Sequence, residues 1–175
     1  IPVLGLSATP TRTTSKEIPE LRKLFDDWII HRERFLPLVN KRILARPKHE
    51  IYNTRDEGQV LLRSEDKEFI RQFREIPRYV VSKLAEDAKR NRLIVNTIKE
   101  HANRFKKTLA FTCDKKHAEY LSGQLKKNGI DANFVTSSTP RKERKTVLED
   151  FKDGDLQVLC NVELFTEGTD LPKIN

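Results

Sequence analysis

The strongest constraint on the fold lies between residues 108 and 161, where short apolar runs alternate with longer amphipathic ones. "TLAFTC" (108–113), "ANFVT" (132–136) and "LQVLCN" (156–161) read as short buried strands. Between the first two, "KKHAEYLSGQLKKNG" places Ala118, Leu121 and Leu125 on one helical face, with Gly129 as its C-terminal stop. Between the second and third, "TPRKERKTVLEDF" predicts a helix with Thr139 as cap and Pro140 in its first turn. Strand, helix, strand, helix, strand with short joints requires parallel neighbours, because each helix carries the chain back along the sheet. The predicted class is α/β, a parallel sheet with flanking helices.

The residues before this stretch are less regular. From Ser64 to Phe105 the spacing predicts helices. Phe69, Ile70 and Phe73 form one stripe, and Pro77 interrupts. Val80, Val81, Leu84, Ala85 and Ala88 form a second, and Ile94, Ile98, Ala102 and Phe105 a third. Lys89, Arg90, Arg92, Lys99, Arg104, Lys106 and Lys107 fall on the outer faces. Residues 13–62 read as a connector broken by Pro19, Pro37 and Pro47. It holds a helical pattern at Leu21, Leu24, Phe25 and Trp28, and a possible short strand in "HEIYNT". The opening "IPVLGL" reads as a buried strand leaving a sheet at "SATP".

Charge and cysteines bound the function. Lys and Arg number 34 against 26 Asp and Glu, a net charge of +8, which suits either a solvated basic surface or a polyanionic partner. No apolar run approaches the ~18 residues of a membrane span, so no membrane partner is expected. Cys113 and Cys160 sit in apolar stretches without a CxxC or a His at metal spacing, so they read as reduced thiols of a cytoplasmic, reducing compartment. His31, His49, His101 and His117 share no spacing that suggests a metal site, and no metal ligands are expected. None of the six glycines precedes a Lys, so no G-K-[ST] phosphate loop is present.

In an open parallel sheet, ligands gather beyond the carboxyl ends of the strands. Three polar clusters fall there: Thr112, Cys113 and Asp114; "TSST" at 136–139 before a helix; and "ELFTEGTDLP" at 163–172. The second offers free N–H groups and a helix dipole to a phosphate. Alone, each is an ordinary cap or turn. On one rim beside a basic surface, they point to a phosphate-bearing ligand.

Four segments carry a family resemblance. "LGLSATPTR" resembles motif III of the superfamily 2 DEAD/DEAH-like helicases and translocases, and "TLAFTCDKKHAEYLSGQL" is similar to their motif IV region. "SSTPRKERKTVLEDFKDG" resembles the segment before motif V, and "VLCNVELFTEGTDLPKI" motif V itself. Order and spacing resemble the group that includes the motor subunits of type I and type III restriction enzymes.

The resemblance implies a fold and an organisation. Residues 1–12 would end a first RecA-like lobe, 13–62 connect the lobes, and 63–175 form a truncated second RecA-like lobe with an N-terminal helical segment. It also implies roles. Ser7, Ala8 and Thr9 would couple nucleotide state to the contact between lobes. Gly168 and Asp170 would face ATP. Thr112, Ser137, Ser138 and Thr139 would touch the sugar-phosphate backbone of DNA or RNA, with Thr166 and Glu167 between nucleotide and strand. Many relatives carry Thr six residues before the motif V glycine, where this chain has Val162. Magnesium ligands, the phosphate loop and the acidic box would belong to the first lobe, the partner in cis, and motif VI would follow residue 175. The chain alone is therefore expected to be catalytically inactive within an ATP-dependent motor. The competing expectation is a non-catalytic nucleic-acid-binding or partner-docking module of the same fold.

Overall fold

A computed structural model describes residues 23, 29–53, 60–73, 75–102 and 104–162. The chain divides into two compact units, one comprising 1–51 and 62–77, the other 52–61 and 78–175.

In the first unit, helix α1 spans Phe35–Asn40 and α2 spans Ser64–Phe73. Pro37 does not break α1, because it lies in the first turn, where a missing N–H costs no helical bond. Residues 45–53 carry no strand, so "HEIYNT" is irregular. At the start of α2, the buried Asp66 reaches back and accepts the backbone N–H of Arg63 at 2.7 Å. The Phe69 and Phe73 rings lie one turn apart with centroids 4.8 Å apart.

The second unit holds the predicted alternation. Helices α3 (Arg78–Glu86) and α4 (Ala88–His101) precede β1 (Thr108–Phe111), α5 (Lys115–Lys127), β2 (Ala132–Val135), α6 (Arg141–Asp153) and β3 (Val158–Asn161). The strands form one parallel sheet in the order β1-β3-β2, with β3 central. Leu159 lies opposite Leu109 on one side and Asn133 on the other. This α/β architecture, a parallel sheet flanked by helices, is the one expected.

Two apolar layers hold the sheet. On the face covered by α4 and α5, Val95, Ala118, Leu121, Leu125, Ile130, Ala132, Val158 and Cys160 form one buried cluster. On the α6 face, Val135, Val147, Phe151, Leu156 and Leu159 form the other. The split follows from the two-residue period of β3, which sends Val158 and Cys160 one way and Leu159 the other. All four residues of β3 are fully buried, as a strand covered on both faces must be.

Helix ends follow the sequence with two exceptions. Asp87 caps α4 by accepting the Lys89 and Arg90 amides at 2.9 and 3.0 Å, so the second and third predicted stripes fall on separate helices, except that Ala88, assigned to the second, opens α4. Asn128 closes α5, and Gly129 follows at φ +76°, a left-handed turn that glycine enters freely. The first exception is α6, whose N-cap is Pro140; the Thr139 hydroxyl is engaged elsewhere. The second is the third stripe. Ile94, Ile98 and Ala102 pack on the core, but α4 ends at His101 and Phe105 is 41% exposed.

Candidate functional site

The carboxyl ends of the strands carry two of the three predicted clusters within the described residues. After β1, Thr112 donates both its backbone N–H and its hydroxyl to the Asn161 carbonyl, each at 2.9 Å. This pins the end of β1 to the end of the central strand. The hydroxyl proton is therefore committed to the backbone, and what Thr112 presents outward is acceptor capacity. Asn161 itself is fully buried; its carboxamide N–H donates to the Ala110 carbonyl at 3.2 Å, while its side-chain oxygen has no partner among the described residues.

Behind Thr112 runs a polar chain that the sequence does not reveal. The Cys113 amide donates to Nδ1 of His117 at 3.1 Å, so that nitrogen is unprotonated and Nε2 carries the hydrogen. Nε2 then donates to Asn91 Oδ1 at 2.9 Å, and Asn91 Nδ2 donates to the Ala85 carbonyl at 2.7 Å. Asp114 caps α5 by accepting the His117 amide at 2.8 Å. Arg90 turns inward rather than lying on an outer face. It donates to the Leu84 carbonyl at 3.2 Å and lies 3.7 Å from Cys113 Sγ. Orphan carbonyls at the end of α3 are thus satisfied by side chains of α4, and the same α4 side chains brace the β1–α5 loop. Burial, reinforced by the Arg90 charge and opposed by Asp114, holds the His117 pKa below its ordinary value.

After β2 the four residues Thr136 to Thr139 close on themselves. The Thr136 amide donates to Thr139 Oγ1 at 2.9 Å, and the Thr139 amide returns to the Thr136 carbonyl at 3.1 Å. The Ser138 hydroxyl lies 2.9 Å from Thr136 Oγ1. Beneath the loop, one guanidinium nitrogen of Arg144 donates to the carbonyls of Thr136, Ser137 and Thr139 at 3.1, 3.3 and 3.1 Å. Carbonyl oxygens are thereby drawn toward the arginine, and among the described residues no side chain caps the first amides of α6. Ser137 and Ser138 are exposed. An exposed turn with its carbonyls neutralised, next to uncapped helix amides, is a fitting surface for an anion. Arg144 gives only a weak signal in the sequence, one of four basic residues in "RKERK".

Ser7, Ala8 and Thr9, together with Thr166, Glu167, Gly168 and Asp170, lie outside the described residues. Thr112 lies at the carboxyl end of β1, and Ser137, Ser138 and Thr139 at that of β2, the two strands that flank β3 in one sheet. Among the described residues no group of His, Cys, Asp and Glu could hold a metal ion, and no helix is long and apolar enough to cross a membrane.

The profile of the helicase conserved C-terminal domain matches residues 88–175, half of the chain. The chain belongs to that family. Among curated relatives, the putative ATP-dependent helicase IRC3 of Saccharomyces cerevisiae is 32% identical over 177 residues, covering 100% of this chain and 24% of that protein. The putative mitochondrial ATP-dependent helicase irc3 of Schizosaccharomyces pombe is 29% identical, covering 99% of this chain and 26% of that protein. The chain thus spans about a quarter of the length of these two relatives. Among solved structures, the Hef helicase domain of Pyrococcus furiosus aligns with 54% of this chain and 20% of its own, at 24% identity and a TM-score of 0.46. The helicase-family match begins at α4 and takes in β1 through β3 and the two strand-end loops.

Proposed function

We propose that this chain forms the second, nucleic-acid-facing lobe of an ATP-dependent helicase or translocase. The observation that carries the reading is the Thr136–Thr139 turn. In a chain of the helicase C-terminal family, it sits at the carboxyl edge of a parallel sheet with its carbonyls tied to Arg144 and its serines exposed. Ser137, Ser138 and Thr139 grip the phosphates of a DNA or RNA strand through hydroxyls and helix amides. Such contacts read no bases, so binding is sequence-tolerant and weakens with salt. Thr112 fixes the edge of the rim rather than lending a proton to a phosphate.

Gly168 and Asp170 face ATP, Thr166 and Glu167 lie between nucleotide and strand, and Ser7, Ala8 and Thr9 couple nucleotide state to a first lobe in cis. Magnesium accompanies the ATP, held by that first lobe. Closure of two lobes on the γ-phosphate and reopening after hydrolysis shifts the strand. The free thiols Cys113 and Cys160 support a reducing compartment.

The test separates the two halves of the proposal within the longer ATP-hydrolysing protein. Asp170→Ala lowers strand-stimulated ATP hydrolysis more than strand affinity, and Ser138→Ala does the reverse. Equal losses from both substitutions would contradict the division of roles.

A further inference from the structure

The opposite edge of the sheet, where the strands begin, carries a second basic surface with aromatic rings. Three chain segments converge there. Lys99 near the end of α4 donates to Asn128 Oδ1 at the end of α5, 3.3 Å away. Lys107, just before β1, donates to the Lys152 carbonyl near the end of α6. Gln157, just before β3, donates its side-chain amide to the carbonyls of Ala102 and Phe105. Residues 99–107, 126–131 and 152–157 therefore form one edge. Among their described residues they contain seven Lys and Arg against four acids, Glu100, Asp131, Asp153 and Asp155.

Two features separate this edge from ordinary complementation of helix dipoles. One cation near each helix end suffices for that, yet Arg104 and Lys106 lie beyond α4 in the loop to β1. No Lys or Arg of the three segments pairs with a carboxylate among the described residues, although Lys145 and Glu149 do so on α6. The second feature is the exposed Phe105, where the helical pattern predicted burial. The Arg104 guanidinium lies 5.2 Å from its ring centre, and the His101 ring lies 5.6 Å away. His101 in turn meets Tyr52 edge-on, with its Nε2 2.9 Å from the Tyr52 hydroxyl. Tyr52 is 47% exposed.

We infer that this edge is a second contact surface for single-stranded nucleic acid, with Lys106, Lys126, Lys127 and Arg104 meeting phosphates and Phe105 stacking a base. Unpaired cations beside exposed rings are the combination that single strands use, because their bases are free to stack and their phosphates to follow a basic track. A duplex hides its bases and uses the cations alone. The inference stands independently of the strand-end rim.

The experiment measures fluorescence anisotropy of labelled oligothymidylate and of a matching duplex against the protein over a salt series. Three proteins are compared with wild type: Lys106→Gln/Lys126→Gln/Lys127→Gln, Phe105→Leu, and Ser138→Ala on the other rim. The altered side chains on the proposed edge are all exposed, so circular dichroism and melting are expected to match wild type. The triple variant loses about tenfold in single-strand affinity at low salt, and its log–log salt slope flattens by about 2. Phe105→Leu loses about fivefold on the single strand and little on the duplex. Wild-type affinity and slope in both variants would overturn the inference, as would binding of phosphatidylserine vesicles without binding of the oligonucleotide. A loss confined to Ser138→Ala sinks this surface and leaves the rim; a loss confined to the lysine and Phe105 variants does the opposite.

Discussion

Thr112 spends two donors on a single carbonyl: its amide and its hydroxyl both reach the Asn161 oxygen, each at 2.9 Å. The β1 strand would otherwise end as a frayed edge beside the central strand. Thr112→Val keeps the shape and the amide bond but removes the hydroxyl bond, and the expected loss is about 1 kcal/mol of stability. Urea unfolding followed by circular dichroism measures it. An unchanged midpoint together with a large loss of oligonucleotide affinity would instead assign the hydroxyl to the ligand.

Arg144 organises the Thr136–Thr139 turn by satisfying three of its carbonyls. Arg144→Gln removes a charged donor from all three, and a destabilisation of about 1.5–3 kcal/mol is expected from unfolding curves. Strand affinity falls with it because the turn loses its shape. Arg144→Lys recovers only part of either, since its ammonium sits one atom nearer the backbone than the guanidinium nitrogen that reaches all three carbonyls. Full recovery by lysine would reduce the role of Arg144 to charge.

His117 makes stability depend on pH. Its folded pKa is lowered, so below the ordinary value near 6.5 the unfolded chain takes up a proton before the folded one does. The contribution of neutral His117 is complete above that value and is lost as pH falls through the folded pKa. Unfolding midpoints between neutral and mildly acidic pH therefore decline, and His117→Gln flattens this slope. A wild-type slope in His117→Gln would place the titrating group elsewhere.

The two thiols differ. Burial in the apolar layer pushes Cys160 up to about 12, whereas Cys113 is half-buried beside the β1 end. With a disulfide reagent at mildly alkaline pH, one thiol per chain reacts in the native state and the second only in denaturant. Cys113→Ser removes the fast phase, and a persisting fast phase in that variant would contradict the burial of Cys160.

The parallel α/β architecture was legible in the sequence because its signals are periodic. Ala118, Leu121 and Leu125 recur on one helical face, and each strand is a compact apolar run. What escaped depends on particular partners. Phe105 continues the spacing of α4, but the helix has already ended at His101, and periodicity carries no mark of where a helix stops. Arg90 sits on a polar face by pattern and turns inward because two acceptors, Leu84 and Cys113, lie within reach. Thr139 has a good capping side chain, yet its hydroxyl closes the preceding turn instead. His117 is a single histidine in a helix, and only the fold places Asn91 and the Cys113 amide on its two nitrogens. The rim residues Ser137 and Ser138 could be named from sequence, but Arg144 beneath them could not, because its role depends on the direction of three carbonyls.

The central claim is that the turn after β2 and the first amides of α6 hold the phosphate backbone of a nucleic-acid strand. Amide chemical shifts of the labelled protein, titrated with a single-stranded oligonucleotide, test it most directly. The account predicts saturable, salt-sensitive shifts at Ser137, Ser138, Thr139, Arg141 and Lys142. Amides at these positions that stay in place while the oligonucleotide is bound would contradict it.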